Sequence, residues 1–208
     1  MSKKLESTLK NMVLCLFLMS VIMAGALGFV YKITKDPIEQ ADKQKEIQAV
    51  KDVLPPFDND PTADARDMEG LKLYTATQKG EPVGYAVKTF TEKGFSGHFE
   101  LMVGFKPDGT INKIVVLNHS ETPGLGSKMK EPKFADQFNG MNIGTIPGKQ
   151  LKVKKDGGTV DAITAATISS RAYCDGVQKA FNVYMNMLNK NQANVDTTSG
   201  ATSKGGKK

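Results

Sequence analysis

The spacing of apolar and polar residues divides the chain into stretches of different period. Met12 to Tyr31 carries no charge and is long enough as a helix to cross a bilayer core. Pro37 to Leu54 has helical spacing, with Ile38, Ala41, Ile47, Val50 and Leu54 on an approximate apolar face. Pro37 suits the first turn of that helix, and Pro55-Pro56 ends it. Asp58 to Glu69 is polar and acidic and reads as a loop. From Leu71 the period becomes two. Leu71, Leu73 and Thr75 alternate with polar partners, Gly80-Glu81-Pro82 marks a turn, and Val83 to Phe90 forms a second strand. Phe99 to Phe105 and Thr110 to Asn118 flank Lys106-Pro107-Asp108-Gly109, a hairpin signal, with Ile111, Ile114 and Val116 as core residues.

Lys133 to Phe138 predicts a short helix, and Gln150 to Lys154 and Val160 to Ile163 two more short strands. The closing helix, Ser170 to Lys190, has a stripe of Tyr173, Val177, Phe181, Tyr184 and Leu188. Strands grouped before a long closing helix predict an α+β domain with a mainly antiparallel sheet. The expected organisation is an N-terminus over residues 1–11, a membrane helix over 12–31, a helical linker and loop over 32–70, and the domain over 71–190. Residues 191–208 are polar and rich in Gly and Lys, and disorder is expected there.

Charge orients the membrane segment. Lys3, Lys4 and Lys10 precede it with Glu6 against them, whereas Lys32 to Lys45 mixes Lys with Asp36, Glu39 and Asp42. By the positive-inside rule the N-terminus stays in the cytoplasm and the domain lies outside the inner membrane of a bacterium. Ala24-Gly25-Ala26 offers a cleavage site as the competing reading, but the apolar run continues through Leu27, Phe29 and Val30. Cys15 as a lipoprotein cysteine is weaker still, with Leu14 where a small residue is wanted. The formal net charge is +6, yet no basic stripe interleaved with aromatics appears, which argues against nucleic acid. Cys15 and Cys174 cannot plausibly pair, and Cys174 reads as a buried small hydrophobe. His98 and His119 are too few and too isolated for a metal site.

Two stretches carry candidate chemistry. Asp161-Ala162-Ile163-Thr164-Ala165-Ala166-Thr167-Ile168-Ser169-Ser170-Arg171 places hydroxyls and small residues before a helix that Ser169 or Ser170 could cap. A helix N-terminus favours a phosphate, so Thr167 stands beside a natural anion site, and Ala165 and Ala166 let a ligand approach the backbone. The other stretch, His119-Ser120-Glu121-Thr122-Pro123-Gly124-Leu125-Gly126, is a turn-rich loop after the hairpin. Pro123 fixes φ there, while Gly124 and Gly126 permit tight turns and close backbone approach.

The first stretch resembles the flavinylation motif of the FMN-binding domain family, Asp-x-x-Ser/Thr-Gly-Ala-Thr followed by a helix. The second resembles the loop around the flavin ring in that family's RnfG-type and NqrC-type members. Gly94-Phe95-Ser96-Gly97 is similar to the family's glycine-containing turn on the flavin side. The resemblance implies FMN held covalently by a phosphoester on Thr167, with Asp161 as the leading acid and Thr164 as the first hydroxyl. It implies that Glu121, Thr122, Gly124 and Leu125 line the ring and that Thr164, Ala165 and Ala166 meet the ribityl-phosphate end. A phosphodiester keeps one negative charge, so a lysine is expected nearby; of Lys149, Lys152, Lys154 and Lys155, Lys152 is the choice. The family's usual Gly is Ala165 here, and Ala takes positive φ only at a cost.

Asp196-Thr197-Thr198-Ser199-Gly200-Ala201-Thr202 matches the motif better by letter, which makes Thr202 the alternative attachment site. Only the inner copy has an approach strand and an amphipathic helix. The implied role is an electron-transfer subunit, without independent catalysis, of an Rnf-type complex that couples ferredoxin–NAD electron transport to Na+ or H+ movement. Its implied partners are the other membrane subunits and the flavin transferase that installs FMN from FAD. Two alternatives stand beside it: a component of a sodium-pumping NADH–quinone reductase, and a non-catalytic anchored receptor or assembly factor with the same fold.

Overall fold

A computed structural model describes residues 8–199, with side chains for residues 8–190 other than residue 147. The fold is α+β: a long N-terminal helix, a five-stranded antiparallel sheet and a C-terminal helix. The chain divides into two units, the first ending at Lys45 and the second starting at Glu46.

The first unit consists of most of helix α1, Leu9–Val53. Leu16, Phe17, Met19, Met23, Leu27 and Phe29 are all more than half exposed. A helix apolar on every side suits lipid rather than water, and α1 is long and apolar enough to cross a membrane. Two separate helices, Met12–Tyr31 and Pro37–Leu54, are expected from sequence, but α1 runs through both, with Pro37 inside it. Proline removes one backbone hydrogen bond from a helix interior. One turn earlier the Thr34 hydroxyl donates to the Val30 carbonyl at 2.9 Å.

In the second unit the sheet runs in sequence order: β1 Arg66–Met68, β2 Leu71–Gln78, β3 Glu81–Gly94, β4 Gly97–Phe105 and β5 Ile111–His119. Short turns make this meander possible. Glu69-Gly70 and Lys79-Gly80 both have positive φ at two successive residues, the geometry of a tight hairpin turn whose twist matches the strands. The second turn thus falls at Lys79-Gly80, and Glu81 and Pro82 belong to β3, with a register shift after Ala76. β1 arises within the stretch read as a loop; its polar edge residues carry no period to betray it. The Lys106–Thr110 turn closes as the hairpin signal predicts, with the Gly109 N–H donating to Lys106 O at 2.9 Å.

Each face of the sheet is covered. On one face the end of α1 buries Ala49, Val50, Val53 and Leu54 against Tyr74, Ala76, Ala86 and Met102. The buried residues differ from the expected stripe, since Ile38 and Ile47 remain exposed. Glu46 clamps this contact: it accepts the Tyr74 hydroxyl at 2.5 Å and pairs with Lys88 at 2.9 Å. Those donors outweigh the cost of its partial burial and hold the Glu46 carboxyl below its usual range.

On the other face lies α3, Thr167–Ser199, whose Tyr173, Val177, Phe181 and Tyr184 are buried over Phe99, Leu101, Val103 and Phe105. Tyr184 stacks on Phe105 with centroids 5.0 Å apart. Cys174 is buried in the same layer, and burial pushes its thiol up to about 12. α3 starts three residues before the expected helix and runs past Lys190, so part of the polar tail is helical. Thr202 lies outside the described residues.

A short helix α2, Pro132–Ala135, with a 3-10 turn over Asp136–Phe138, seals one end of the core with Phe134 and Phe138. The stretches 150–154 and 160–163 do not form strands. They share one isolated parallel bridge, Val153 to Val160, because a 3-10 turn at Lys154–Asp156 folds the chain back before a ladder can extend.

Candidate functional site

Three elements meet at one end of the sheet: the β3–β4 turn at Phe95-Ser96, the loop after β5, and the turn leading into α3. A single carboxylate joins them. Glu121 is 5% exposed; it accepts the Ser169 hydroxyl of α3 at 3.0 Å and the backbone N–H of Ser96 at 3.4 Å. Two glycines make room for it. A Cβ on Gly94 would lie 2.6 Å from Glu121 Oε1, and one on Gly126 would lie 2.7 Å from Ser169 Oγ. Gly126 is therefore the close-approach glycine of the loop. Gly124 instead meets nothing within 4 Å and is needed for its φ of +76°, with its N–H donating to Ser127 Oγ at 2.9 Å.

His119 anchors the start of the loop. Its Nδ1 accepts the Glu121 N–H at 3.2 Å, which leaves the proton of the neutral ring on Nε2. Burial, aided by Lys130, pushes its pKa down and favours that neutral form. His98 is engaged elsewhere, 2.7 Å from Glu92.

The turn into α3 is built differently from the expected cap. Thr167 is the first helical residue, so Ser169 and Ser170 lie inside the first turn and both are buried. Ser170 Oγ accepts the Ile163 N–H at 2.9 Å and donates to Ala166 O at 2.9 Å, pinning the turn from within. The chain reverses at Ala165, whose φ is +61°. That is the left-handed region, costing a residue with a Cβ about 1 kcal/mol. Ala165→Gly should therefore stabilise the domain by about 1 kcal/mol. Chemical denaturation checks this; an unchanged or lower midpoint would show that the turn carries no strain.

These elements enclose a cleft of about 290 Å³. Its apolar walls come from Phe95, Leu125 and Ile168, and its polar groups from Glu121, Thr122, Thr167 and Ser169. Phe95, Leu125 and Ile168 are 67%, 41% and 48% exposed, so the apolar wall stands open on the protein alone. A planar ring with a hydrogen-bonding edge fits such a lining, and the size lies near the lower end for small-molecule sites.

Of the residues singled out from sequence, Glu121, Thr122, Leu125, Ala165, Ala166 and Thr167 line this cleft. Gly124 does not. Thr164 faces a second hollow with Lys128, Lys133 and Asp161. Lys152 faces a third, with Asp156 and Arg171. The lysine beside Thr167 is Lys155, whose Nζ is 3.4 Å from Thr167 Oγ1. Asp161 pairs with Lys154 at 2.7 Å, away from the hydroxyl. Two lining residues give no sign of that role in the sequence: Ser169 reads there as a cap, and Ile168 has no role assigned from the sequence. Phe95 has a visible signal, an aromatic residue set between glycines in a turn.

Comparisons with known proteins bear on this site. A family model for the FMN-binding domain matches residues 94–182, which contain all three elements of the cleft. The chain is 34% identical to the G subunit of the ion-translocating oxidoreductase complex of Shewanella baltica, over 86% of this chain and 89% of that protein. It is 31% identical to the G subunit of the Na(+)-translocating ferredoxin:NAD(+) oxidoreductase complex of Acetobacterium woodii, over 84% and 90%. Among solved structures, the C subunit of the Na(+)-translocating NADH-quinone reductase of Parabacteroides distasonis is similar at 24% identity. The match covers 55% of this chain and 61% of that one, with a TM-score of 0.46.

Proposed function

We propose that this chain, which belongs to the G-subunit family of ion-translocating oxidoreductase complexes, holds FMN covalently through a phosphoester on Thr167 and passes electrons within an Rnf-type membrane complex. The observation that carries this reading is the position of Thr167. Thr167 lines the cleft shared by the Glu121–Gly126 loop and the turn into α3. When bound, FMN supplies one- and two-electron transfer, and the protein supplies position and surroundings.

The residues divide the work. Phe95, Leu125 and Ile168 would pack against the ring and keep water from it. Glu121 uses one oxygen for Ser169 and the other, at a long distance, for the Ser96 N–H. It keeps lone pairs free to orient a donor on the ring edge. The first N–H groups of α3 have no helical partner and would meet the phosphate. Ferredoxin and NAD as the ends of the electron path, Na+ or H+ as the coupled ion, and installation of FMN by a flavin transferase all belong to the same proposal. The test is the chain expressed with such a transferase, denatured, washed and weighed intact. A flavin-sized mass increment mapped to the peptide holding Thr167 is expected; flavin that washes away overturns the covalent link.

The long apolar helix near the N-terminus and the family together fit a membrane-anchored protein. The proposed side is extracytoplasmic, from the Lys3, Lys4 and Lys10 cluster before the helix. A phosphatase reporter fused after Lys190 should be active, and a cytoplasm-dependent fluorescent reporter at the same place dark. The reverse pattern would put the domain in the cytoplasm and end that assignment.

A further inference from the structure

Lys154, Lys155 and Arg171 surround the turn that precedes α3, but their charges are not equally available. Lys154 Nζ is 2.7 Å from Asp161 Oδ2. Arg171 makes a two-pronged contact with Asp156, Nε and Nη2 each donating at 2.7 Å. Lys155 has no carboxylate within ion-pair distance among the described residues. Its one hydrogen bond there is to Thr167 Oγ1, at 3.4 Å. That distance is long for a nitrogen–oxygen hydrogen bond, so the ammonium stands at the hydroxyl with its donors uncommitted.

The backbone holds Lys155 in this place. The 3-10 turn Lys154–Asp156 is closed by Gly157 at φ +78° and anchored by Val153 and Val160, both fully buried. The Lys154 N–H donates to Val160 O at 2.8 Å. Lys155 is thus presented from a pinned turn, and the side chain reaches an oxygen twelve residues away.

We infer that Lys155 is the cation that receives the flavin phosphate, holding a non-bridging oxygen of the phosphorus while it passes to Thr167 and afterwards balancing the charge of the diester. This rests on the reading that Thr167 carries FMN. In the transfer, Thr167 Oγ1 forms a bond to the FMN phosphorus of FAD. The bond from that phosphorus to the bridging pyrophosphate oxygen breaks, and AMP leaves with the electron pair. Nothing is oxidised. The hydroxyl proton goes to a base of the transferase, because an ammonium has no acceptor and Asp156 and Asp161 are held in ion pairs. Phosphoryl transfer depends on positioning and on neutralising charge on the non-bridging oxygens. A non-bridging oxygen on that phosphorus, when turned toward Lys155, comes within hydrogen-bond reach of its ammonium, which stands 3.4 Å from Oγ1.

The test uses the full chain with a flavin transferase and FAD, reading the initial rate of covalent flavin incorporation by intact mass. Lys155→Met should slow incorporation about tenfold, as for loss of one hydrogen bond to a charged group. Lys155→Arg should restore most of the rate, and Lys154→Met should stay within about twofold, since its pair is exposed. Raising ionic strength should narrow the gap between wild type and Lys155→Met, because an exposed cation is screened. The melting temperature of the flavin-free chain should not move in Lys155→Met, whose side chain is exposed. Incorporation by Lys155→Met at the wild-type rate, or a larger loss in Lys154→Met, overturns the inference while leaving the attachment site intact. A loss that tracks a lowered melting temperature in both Lys155 variants does the same. Incorporation that persists in Thr167→Val instead overturns the reading beneath it.

Discussion

Thr167→Val is expected to remove all covalently held flavin from the chain when it is expressed with a flavin transferase, and Thr202→Val to leave the flavin in place. A phosphoester needs a hydroxyl oxygen, and valine keeps the shape of threonine without it. The substitution should cost little stability: Thr167 is half-buried on the first turn of α3, and its one described side-chain hydrogen bond is the 3.4 Å contact from Lys155. An empty Thr167→Val protein would therefore be folded and unable to react. The inner threonine is set apart by its place in the fold. Thr167 shares a cleft with Glu121, Thr122 and Leu125, contributed by a loop some forty residues earlier in the chain. Fluorescence of the denatured protein in a gel, with peptide mass mapping, reads the outcome. Fluorescence retained in Thr167→Val and lost in Thr202→Val would show that the letters of the tail motif matter more than the cleft. Loss only in the double variant would mean that both threonines are used.

Gly104→Ala should destabilise the domain by about 3 kcal/mol, the upper part of the range for forcing atoms into a filled interior. Gly104 is buried in β4, under the end of α1. A Cβ there would land on the carbonyl oxygen of Val53, 2.7 Å from its carbonyl carbon and 2.8 Å from its Cβ. Main chain cannot turn aside as a flexible side chain can. The same Val53 carbonyl accepts the Asn112 side-chain N–H at 2.8 Å, so a shift of the helix end would also weaken a bond to β5. Chemical denaturation of the membrane-free segment from Glu46 onward, or of the full chain in detergent, measures the loss. A change below about 1 kcal/mol would mean that the end of α1 can lift from the sheet at little cost.

Much of this architecture can be read from local pattern. The period-two stretches from Leu71 onward, the Lys106–Gly109 turn and the stripe of α3 each state their own geometry, because side-chain direction follows from the backbone period. The same holds for the charge-free run of α1. Both motifs at the cleft are contiguous in sequence, so the loop and the turn into α3 stand out as candidates from their letters alone.

The remaining features depend on contacts between distant residues. Pro37 reads as a helix start because proline suits a first turn, yet nothing local says whether a helix already precedes it. The residues 150–154 alternate like a strand, but a strand exists only where a neighbour pairs with it, and here the turn at Lys154–Asp156 leaves a single bridge. Gly124 and Gly126 look alike in sequence. Packing separates them: one supplies a positive φ, and the other clears space for the Glu121 carboxylate and Ser169. Ser169 has the letters of a cap and is instead the buried partner of that carboxylate, since the helix begins at Thr167. The choice among four lysines is likewise beyond the letters. Lys152, Lys154 and Lys155 are neighbours in sequence, and the tight turn at Lys154–Asp156 sends their side chains to a separate hollow, to Asp161 and to the Thr167 hydroxyl. Local pattern names the pieces because period, charge and turn chemistry act over a few residues; which side chain meets the reactive oxygen is set by packing across the whole domain.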